Sequence, residues 1–419
     1  MSLQKSTIAI ITHAGGSPYH GPNMRVYFMA KNFVEQGHTV YIIGCGVFHK
    51  YYNPPELTGR FTHKVVDGIN YVWVSAPQYN SKSLKRLLNQ ALFTTNLYFG
   101  LNELKIEAPD FIIASSPHPF VIYPARRLAK RHGSKLIFEI RDLWPLGVIE
   151  FGGMHARHPY IKLLEITEKY SYKHADLIVS VKPGDLDYIR EHYPKTPEHK
   201  LRYIPNGFDT KNVHIAPLEN DDLRQKLEGK FVIGYAGALT VAYAIDVLCT
   251  AAGLLKDRYP DLRIVLVGGG SDAERIAQRV QEEQLTNVLM TGFVEKKFVL
   301  SHLELFDVCY IGLKQTLASK HGISSNKLFD YMYAAKPVLA AYVTDHDPVT
   351  LADGGICVYP DGEAVAKAIE FFMEKSESEL EIMGSRNKEY LDQHHTYGII
   401  AGQFLELFEE LASSAKSLS

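Results

Sequence analysis

The sequence predicts an α/β protein made of two doubly wound, Rossmann-like domains that face each other across a cleft. Three observations carry this expectation. The chain has 419 residues, too many for one ordinary core, so two domains are the natural division. Short β-branched apolar runs alternate with longer stretches of helical periodicity, the pattern of a parallel sheet covered on both faces. The alternation then starts afresh near residue 231, after a stretch rich in turn formers.

In the first half, strands are predicted at 7–12, 39–44, 71–74, 111–114, 135–139 and 177–181, with helices at 23–36, 83–105, 121–132 and 160–173. The segment 205–229 carries Asn-Gly, two prolines and a charge run, and reads as a connector. The second half gives strands at 231–235, 263–267, 288–291, 308–311 and 338–340, and helices at 244–256, 272–283, 326–334 and 364–375. From 397 to 414, apolar and acidic residues alternate at helical spacing, which predicts a terminal helix. The expected division is therefore 1–208, 209–395 and a last helix, 396–419, crossing back to the first domain. In such folds, ligands bind where the carboxyl ends of the strands meet the cleft.

Composition narrows the function. A net charge of −2 argues against a dedicated nucleic-acid binder, which would be strongly basic. The cysteines at 45, 249, 309 and 357 form no CxxC pair, which suits buried thiols in a reducing compartment. The N-terminal MSLQKSTIAIITHAGG has too short an apolar core for a signal peptide, and no apolar run reaches the ~18 residues of a spanning helix. A cytoplasmic protein is expected. Eighteen histidines show no HExxH-like spacing, so no metal site is predicted, and no GxSxG elbow marks a nucleophile.

The most informative stretch is GISSNKLFDYMYAAKPVLAA, residues 322–341. Small and polar residues, Ser325 and Asn326 among them, run into a helix N-terminus, which suits an anionic group such as phosphate. One turn on, the Asp330 carboxylate is placed to accept hydrogen bonds from vicinal hydroxyls, as on a ribose. An ordinary helix start would look the same on these residues alone. Glycine loops follow two strands: Gly15, Gly16 and Gly21 after the first, Gly268–Gly270 in the second half. Neither is GxGxxG, so the dinucleotide fingerprint is absent, and both also fit plain strand–helix turns. Arg141 and Asp142 end a strand and face the predicted cleft, with Trp144 following. They serve a ligand or form a surface ion pair beside a core tryptophan. The helix at 83–105 is amphipathic with a wide apolar stripe, and Lys82, Lys85 and Arg86 stand at one end. It packs as core, or its basic end rests on an anionic lipid surface.

In order, these pieces resemble the GT-B glycosyltransferases of retaining family 4, and more narrowly the bacterial surface-polysaccharide members (O-antigen, capsule, colanic-acid type). The matching stretches are the glycine loop with Val34-Glu-Gln-Gly-His-Thr-Val40, Arg141-Asp-Leu-Trp-Pro145, Ile204-Pro-Asn-Gly-Phe-Asp209, Tyr235-Ala-Gly237, Leu266-Val-Gly-Gly-Gly270, Thr291-Gly-Phe-Val294, and Ser325-Asn-Lys-Leu-Phe-Asp-Tyr-Met332 through Lys336-Pro-Val338.

The resemblance implies transfer of a hexose or amino sugar from a nucleoside diphosphate, a UDP-sugar foremost, with retention and without metal or cofactor. The acceptor would be a glycan or polyprenol-linked glycan held by the N-terminal domain, at the inner face of the plasma membrane. The C-terminal domain would hold the donor. Asp330 stands for the second glutamate of the family's Glu-x7-Glu motif, on the ribose. Ser325 and Asn326 would meet the diphosphate, Val294 the base, and Gly16 or Gly21 would close over the phosphates. Gly237 and Gly269 line the donor side. Arg141 and Asp142 fall where many members have His-Asp, beside the reacting sugar. Three departures stand out. Gly322 occupies the position of the first glutamate, the cations that usually neutralise the diphosphate fall at Ala238 and Tyr243, and Arg141 replaces the histidine. Lys327 is the nearest replacement cation, with Arg141 a second. The same scaffold also serves nucleotide-sugar epimerases, and a non-catalytic nucleotide-sugar or glycan binder is the reading from another class.

Overall fold

The computed structural model describes residues 5–21, 24–79, 84–150, 152–219 and 221–416. It divides into two compact units, one formed by Met1–Asn206 with Tyr397–Ser419, the other by Gly207–Thr396.

The first unit carries an eight-stranded sheet: β1 (Thr7–Thr12), β2 (Thr39–Cys45), β3 (Phe61–Val66), β4 (Ile69–Val74), β5 (Phe111–Ser115), β6 (Lys135–Ile140), β7 (Leu177–Ser180) and β8 (Leu201–Tyr203). Their order is β3-β4-β2-β1-β5-β6-β7-β8. Every pairing is parallel except the β3–β4 hairpin at the edge. β3 escaped the sequence reading because its middle residues are polar and exposed, as an edge strand permits. The central strands are apolar on both faces because helices cover both, and two core clusters result. The terminal helix Tyr397–Lys416 belongs to this unit: Phe408 stacks on Phe111 at 4.4 Å between ring centroids and also meets Phe33 of helix Met24–Glu35.

The second unit is a six-stranded, wholly parallel sheet: β9 (Phe231–Ala236), β10 (Leu262–Val267), β11 (Val288–Gly292), β12 (Val308–Gly312), β13 (Val338–Ala341) and β14 (Gly355–Val358). Its order is β11-β10-β9-β12-β13-β14. In each sheet the chain winds one way and then the other. The reversal falls between β1 and β5 in the first unit and between β9 and β12 in the second. Ligands of doubly wound sheets bind outside the carboxyl ends of the strands at such a reversal.

Two expectations need correction. The segment 205–229 is not a free connector: it contains helix Asp222–Leu227, and Leu227, Phe208 and Val213 pack into the second unit's core. Its turn-rich composition reflects a chain that winds over a surface, which still has apolar anchors to bury. The long helix 83–105 is the shorter Leu84–Phe99. Gly100 stops it, a turn follows, and Lys105 has φ 47°. Asn23, Lys82 and Ser83 lie outside the described residues. The helix buries Asn89, Gln90, Phe93, Thr94 and Leu97. Its outer face leaves Leu88, Leu92 and Phe99 exposed. All four cysteines are free thiols; Cys45, Cys249 and Cys309 are buried and Cys357 half-buried. Among the described residues no helix is long and apolar enough to cross a membrane.

Candidate functional site

In the second unit, the chain leaves β9 through Gly237, which sits at φ 151° and donates its amide to the Val267 carbonyl at 2.8 Å. A Cβ built there would lie 1.9 Å from Cε of Lys327. Only glycine leaves room for that lysine stem. The next turn, at the end of β10, is tied in by Gly268, whose amide reaches the Gly292 carbonyl, and by Gly269, whose carbonyl accepts from Leu239. Asp272, at the foot of this turn, is held by Arg275, so the end of that glycine run is structural.

Lys327 lies in the first turn of helix Asn326–Tyr333. Its Nζ stands 3.3 Å from the centroid of the Tyr243 ring and 5.8 Å from that of Tyr235. Burial lowers the lysine pKa, while Tyr243 and then Asp330 pull it back up. A cation over an aromatic face is stabilised by about 0.5 to 2 kcal/mol, the more so the less water reaches it, and Lys327 is half-buried. Tyr243 thus supplies the face on which the Lys327 ammonium rests. No carboxylate pairs with Lys327 among the described residues. Ala238, the other vacated position, is exposed, and its carbonyl accepts the Tyr235 hydroxyl at 2.7 Å.

Asp330, one turn further on, is buried. Both its oxygens meet Nζ of Lys296, at 2.5 and 2.6 Å. Burial pushes the carboxyl up, against the opposing pull of Lys296 and Lys327. Tyr331 clamps the same helix to the sheet, accepting from the Ala236 amide at 2.9 Å. At the helix start, Ser325 makes no side-chain cap, and the neighbouring Ser324 Oγ is buried without a partner among the described residues. Such an end has hydrogen-bonding capacity to spare for an anion. Asn326 is exposed, and Gly322 is buried at φ 110°, with no side chain to offer. Val294 packs half-buried on the core, while its neighbour Phe293 stands 81% exposed opposite Gly269.

In the first unit, Gly16 is buried and its carbonyl accepts the Tyr71 hydroxyl at 3.2 Å. Gly21 has φ 153°, and a Cβ there would lie 2.9 Å from Cα of Tyr51. Just beyond that loop, Arg25 is buried and grips Glu139 of β6 through Nε and Nη2 at 3.0 and 2.9 Å. Ser115 adds a bond to the same carboxylate at 2.6 Å. Burial alone would raise the Glu139 pKa; Arg25 and Ser115 outweigh it and hold the carboxyl below its usual range. The pair fixes the end of β6, two residues before Arg141. The Arg141 amide donates to Ser116 Oγ at 2.9 Å. Its half-buried guanidinium makes no side-chain hydrogen bond or ion pair among the described residues, although burial lowers its pKa and Glu139 restores part of it. Asp142 is exposed and does not pair with it.

The predicted residues thus gather in two places. Gly237, Lys327, Asp330, Ser325 and Asn326 surround one helix N-terminus in the second unit, with Gly269 and Val294 on the neighbouring strand ends. Gly16, Gly21, Arg141 and Asp142 lie on the first unit. Sequence reasoning missed Lys296, Phe293 and the Arg25–Glu139 pair. Lys296 stands two residues past Val294, just beyond a stretch already singled out, and its partner is 34 residues away. Among the described residues, no group of three or more His, Cys, Asp or Glu side chains is placed to hold a metal.

Two α/β units with parallel sheets, each with its glycine turns at the carboxyl ends of the strands, define the GT-B class of glycosyltransferases. Residues 19–212 match the Glycosyltransferase Family 4 model and residues 230–375 the Glycosyl transferases group 1 model. The chain belongs to the family 4 glycosyltransferases of GT-B fold. It is similar to WcaI of Escherichia coli (strain K12), named provisionally as a colanic acid biosynthesis glycosyl transferase: 24% identity over 62% of this chain and 65% of that one. It is also similar to EpsD of Bacillus subtilis (strain 168), named provisionally as a glycosyltransferase, at 25% identity over 60% of this chain and 64% of that one. The match thus spans just under two-thirds of these relatives' length. Among solved structures, sucrose-phosphate synthase from Thermosynechococcus elongatus superposes with a TM-score of 0.73 at 18% identity, over 98% of this chain and all of that one. HepE of Anabaena in complex with UDP-glucose gives 0.66 at 14% identity, over 98% and 100%. At these identities the structural likeness speaks for the fold alone.

Proposed function

We propose that this protein is a retaining glycosyltransferase that moves a hexose or amino sugar from a UDP-sugar to a lipid-linked glycan in surface polysaccharide synthesis. The observation that carries this is Lys327, a half-buried cation that forms no ion pair among the described residues, seated on the Tyr243 face one helical turn from the Asp330 carboxylate. A phosphate-sized cation site followed by a hydroxyl-binding carboxylate is what a nucleoside diphosphate needs. The complexes of HepE with UDP and UDP-glucose and the colanic-acid naming of WcaI support the donor class and the pathway type.

In this reading, residues 207–396 hold the donor. Asp330 exchanges Lys296 for the ribose hydroxyls. Ser324, Ser325 and Asn326 meet the diphosphate at the helix N-terminus, Phe293 and Val294 border the base, and Lys327 faces the β-phosphate. The acceptor hydroxyl attacks the anomeric carbon from the side of the leaving group. As the new carbon–oxygen bond forms, the bond to the β-phosphate oxygen breaks, and that phosphate takes the hydroxyl proton. Charge grows on the departing diphosphate, where a preplaced cation stabilises the transition state most. Lys327 supplies that cation without a metal. The first unit takes the acceptor, and its exposed Leu88, Leu92 and Phe99, flanked by Lys85, Arg127 and Arg131, meet an anionic bilayer.

The test is turnover of a panel of UDP- and GDP-sugars with and without a lipid-linked glycan extract. The expected result is slow donor hydrolysis that releases sugar of retained configuration, accelerated by acceptor. Interconversion of donor sugars without acceptor would instead indicate an epimerase. Binding with no turnover under any condition would indicate a non-catalytic binder.

A further inference from the structure

At the point in the first sheet where the chain reverses, two histidines face each other. His13 follows β1 directly and His118 lies three residues past β5, and their ring centroids are 4.9 Å apart. Both are buried. His13 Nε2 lies 2.6 Å from Asn89 Oδ1. Asn89 is itself oriented, because its Nδ2 donates to the Pro77 carbonyl at 2.7 Å. The asparagine oxygen must therefore accept, which makes His13 the Nε2–H tautomer and leaves Nδ1 with the lone pair. Burial holds His13 down to about 4 and His118 well below the ordinary value, so both rings are neutral at physiological pH.

His118 is the anomaly. Neither of its ring nitrogens has a hydrogen-bond partner among the described residues. A neutral imidazole carries one donor and one acceptor, and leaving both buried and unmet costs free energy that native proteins rarely tolerate without a reason. Its other ring neighbours are Phe120 at 5.7 Å and Phe93 at 6.3 Å between centroids, and Arg86 is the cation close enough to act on both histidines. An uncharged donor–acceptor pair among aromatic rings is the chemistry that recognises a sugar, whose hydroxyls both give and accept hydrogen bonds while its C–H faces pack on rings.

We propose that the crevice between β1 and β5 holds one sugar ring of the acceptor, with His118 and His13 as the residues that bond its hydroxyls. This rests on the reading of the first unit as the acceptor side. Ser116 links the two places: it lies two residues before His118, and its Oγ holds the Arg141 amide. A ring seated on His118 is therefore registered against the residue assigned to the reacting centre.

The probes are methyl glycosides of glucose, galactose, mannose and N-acetylglucosamine, tested at millimolar concentration by saturation-transfer NMR against the full chain. UDP calorimetry is run on the same preparations. At least one glycoside is expected to receive saturation from the wild type. Its dissociation constant should rise at least about tenfold in His118→Phe, which keeps the ring and removes the nitrogens, and recover in part in His118→Gln. UDP affinity should be equal in all three proteins, which shows that each is folded. Equal glycoside binding by His118→Phe, or no glycoside binding by the wild type, overturns the proposal. Failure of UDP to bind any of them would sink the donor reading and leave the glycoside result standing on its own.

Discussion

The two units use the same sheet architecture and opposite electrostatics at its carboxyl edge. In the second unit, the helix after β12 gathers Lys327, Asp330 and Lys296 around an uncapped N-terminus, and charge dominates. In the first, the chain reversal brings together His13 and His118, both driven neutral by burial, among aromatic rings. Arg86 lies near enough to both rings to hold their pKa values down further, while Arg141 lies beyond the end of β6. The difference teaches what each edge is built to hold. Buried charge is costly unless a partner or ligand compensates it. On the proposed reading, the edge that keeps a lysine without an ion pair suits an anion, and the edge with two neutral imidazoles suits hydroxyls.

The comparison breaks first at Asp330. Asp330→Ala removes the carboxylate and leaves the site without its hydroxyl acceptor, so affinity for UDP is expected to fall by roughly a hundredfold or more. Calorimetry reads this directly, and unchanged affinity would remove the donor assignment from the second unit. A smaller effect sharpens the contrast from the other side. If the first unit's cations serve a surface rather than the crevice, Lys85→Glu with Arg127→Glu and Arg131→Glu should weaken sedimentation with phosphatidylglycerol vesicles. Each removed charge is worth about 1 kcal/mol near an anionic surface. Sedimentation equal to the wild type would leave the exposed Leu88, Leu92 and Phe99 without a lipid role.

Much of the fold was legible because it rests on periodicity. The central strands of both sheets and most of the helices beside them follow from apolar runs and helical spacing. Strand β3 was not legible, since an edge strand buries too little to show an apolar pattern. Nor was the helix Glu377–His394, whose buried residues are only Leu380, Gly384, Asn387 and Leu391. The turn-rich 205–229 misled because polarity marks a surface path as readily as a linker. At the site, Lys327 and Asp330 were readable from their place at a helix start. Lys296 and His118 were not, because their meaning lies in contacts that only the fold makes. For Lys296 that contact is with a carboxylate 34 residues on. For His118 it is the meeting of two strand ends at the sheet's reversal. The departures at Ala238 and Tyr243 looked like losses in one dimension. In three, the Tyr243 ring carries the Lys327 ammonium, the cation proposed to take their place.

The most direct measurement compares UDP and UMP binding to the wild type and to Lys327→Ala by calorimetry. UDP differs from UMP by the β-phosphate that Lys327 is assigned to face. The wild type should prefer UDP, and in Lys327→Ala that preference should fall by about tenfold or more while UMP affinity holds, since the lost interaction is a charge-assisted one. An undiminished preference for UDP in the variant would contradict the placement of the phosphate cation at Lys327, and with it the metal-free donor site.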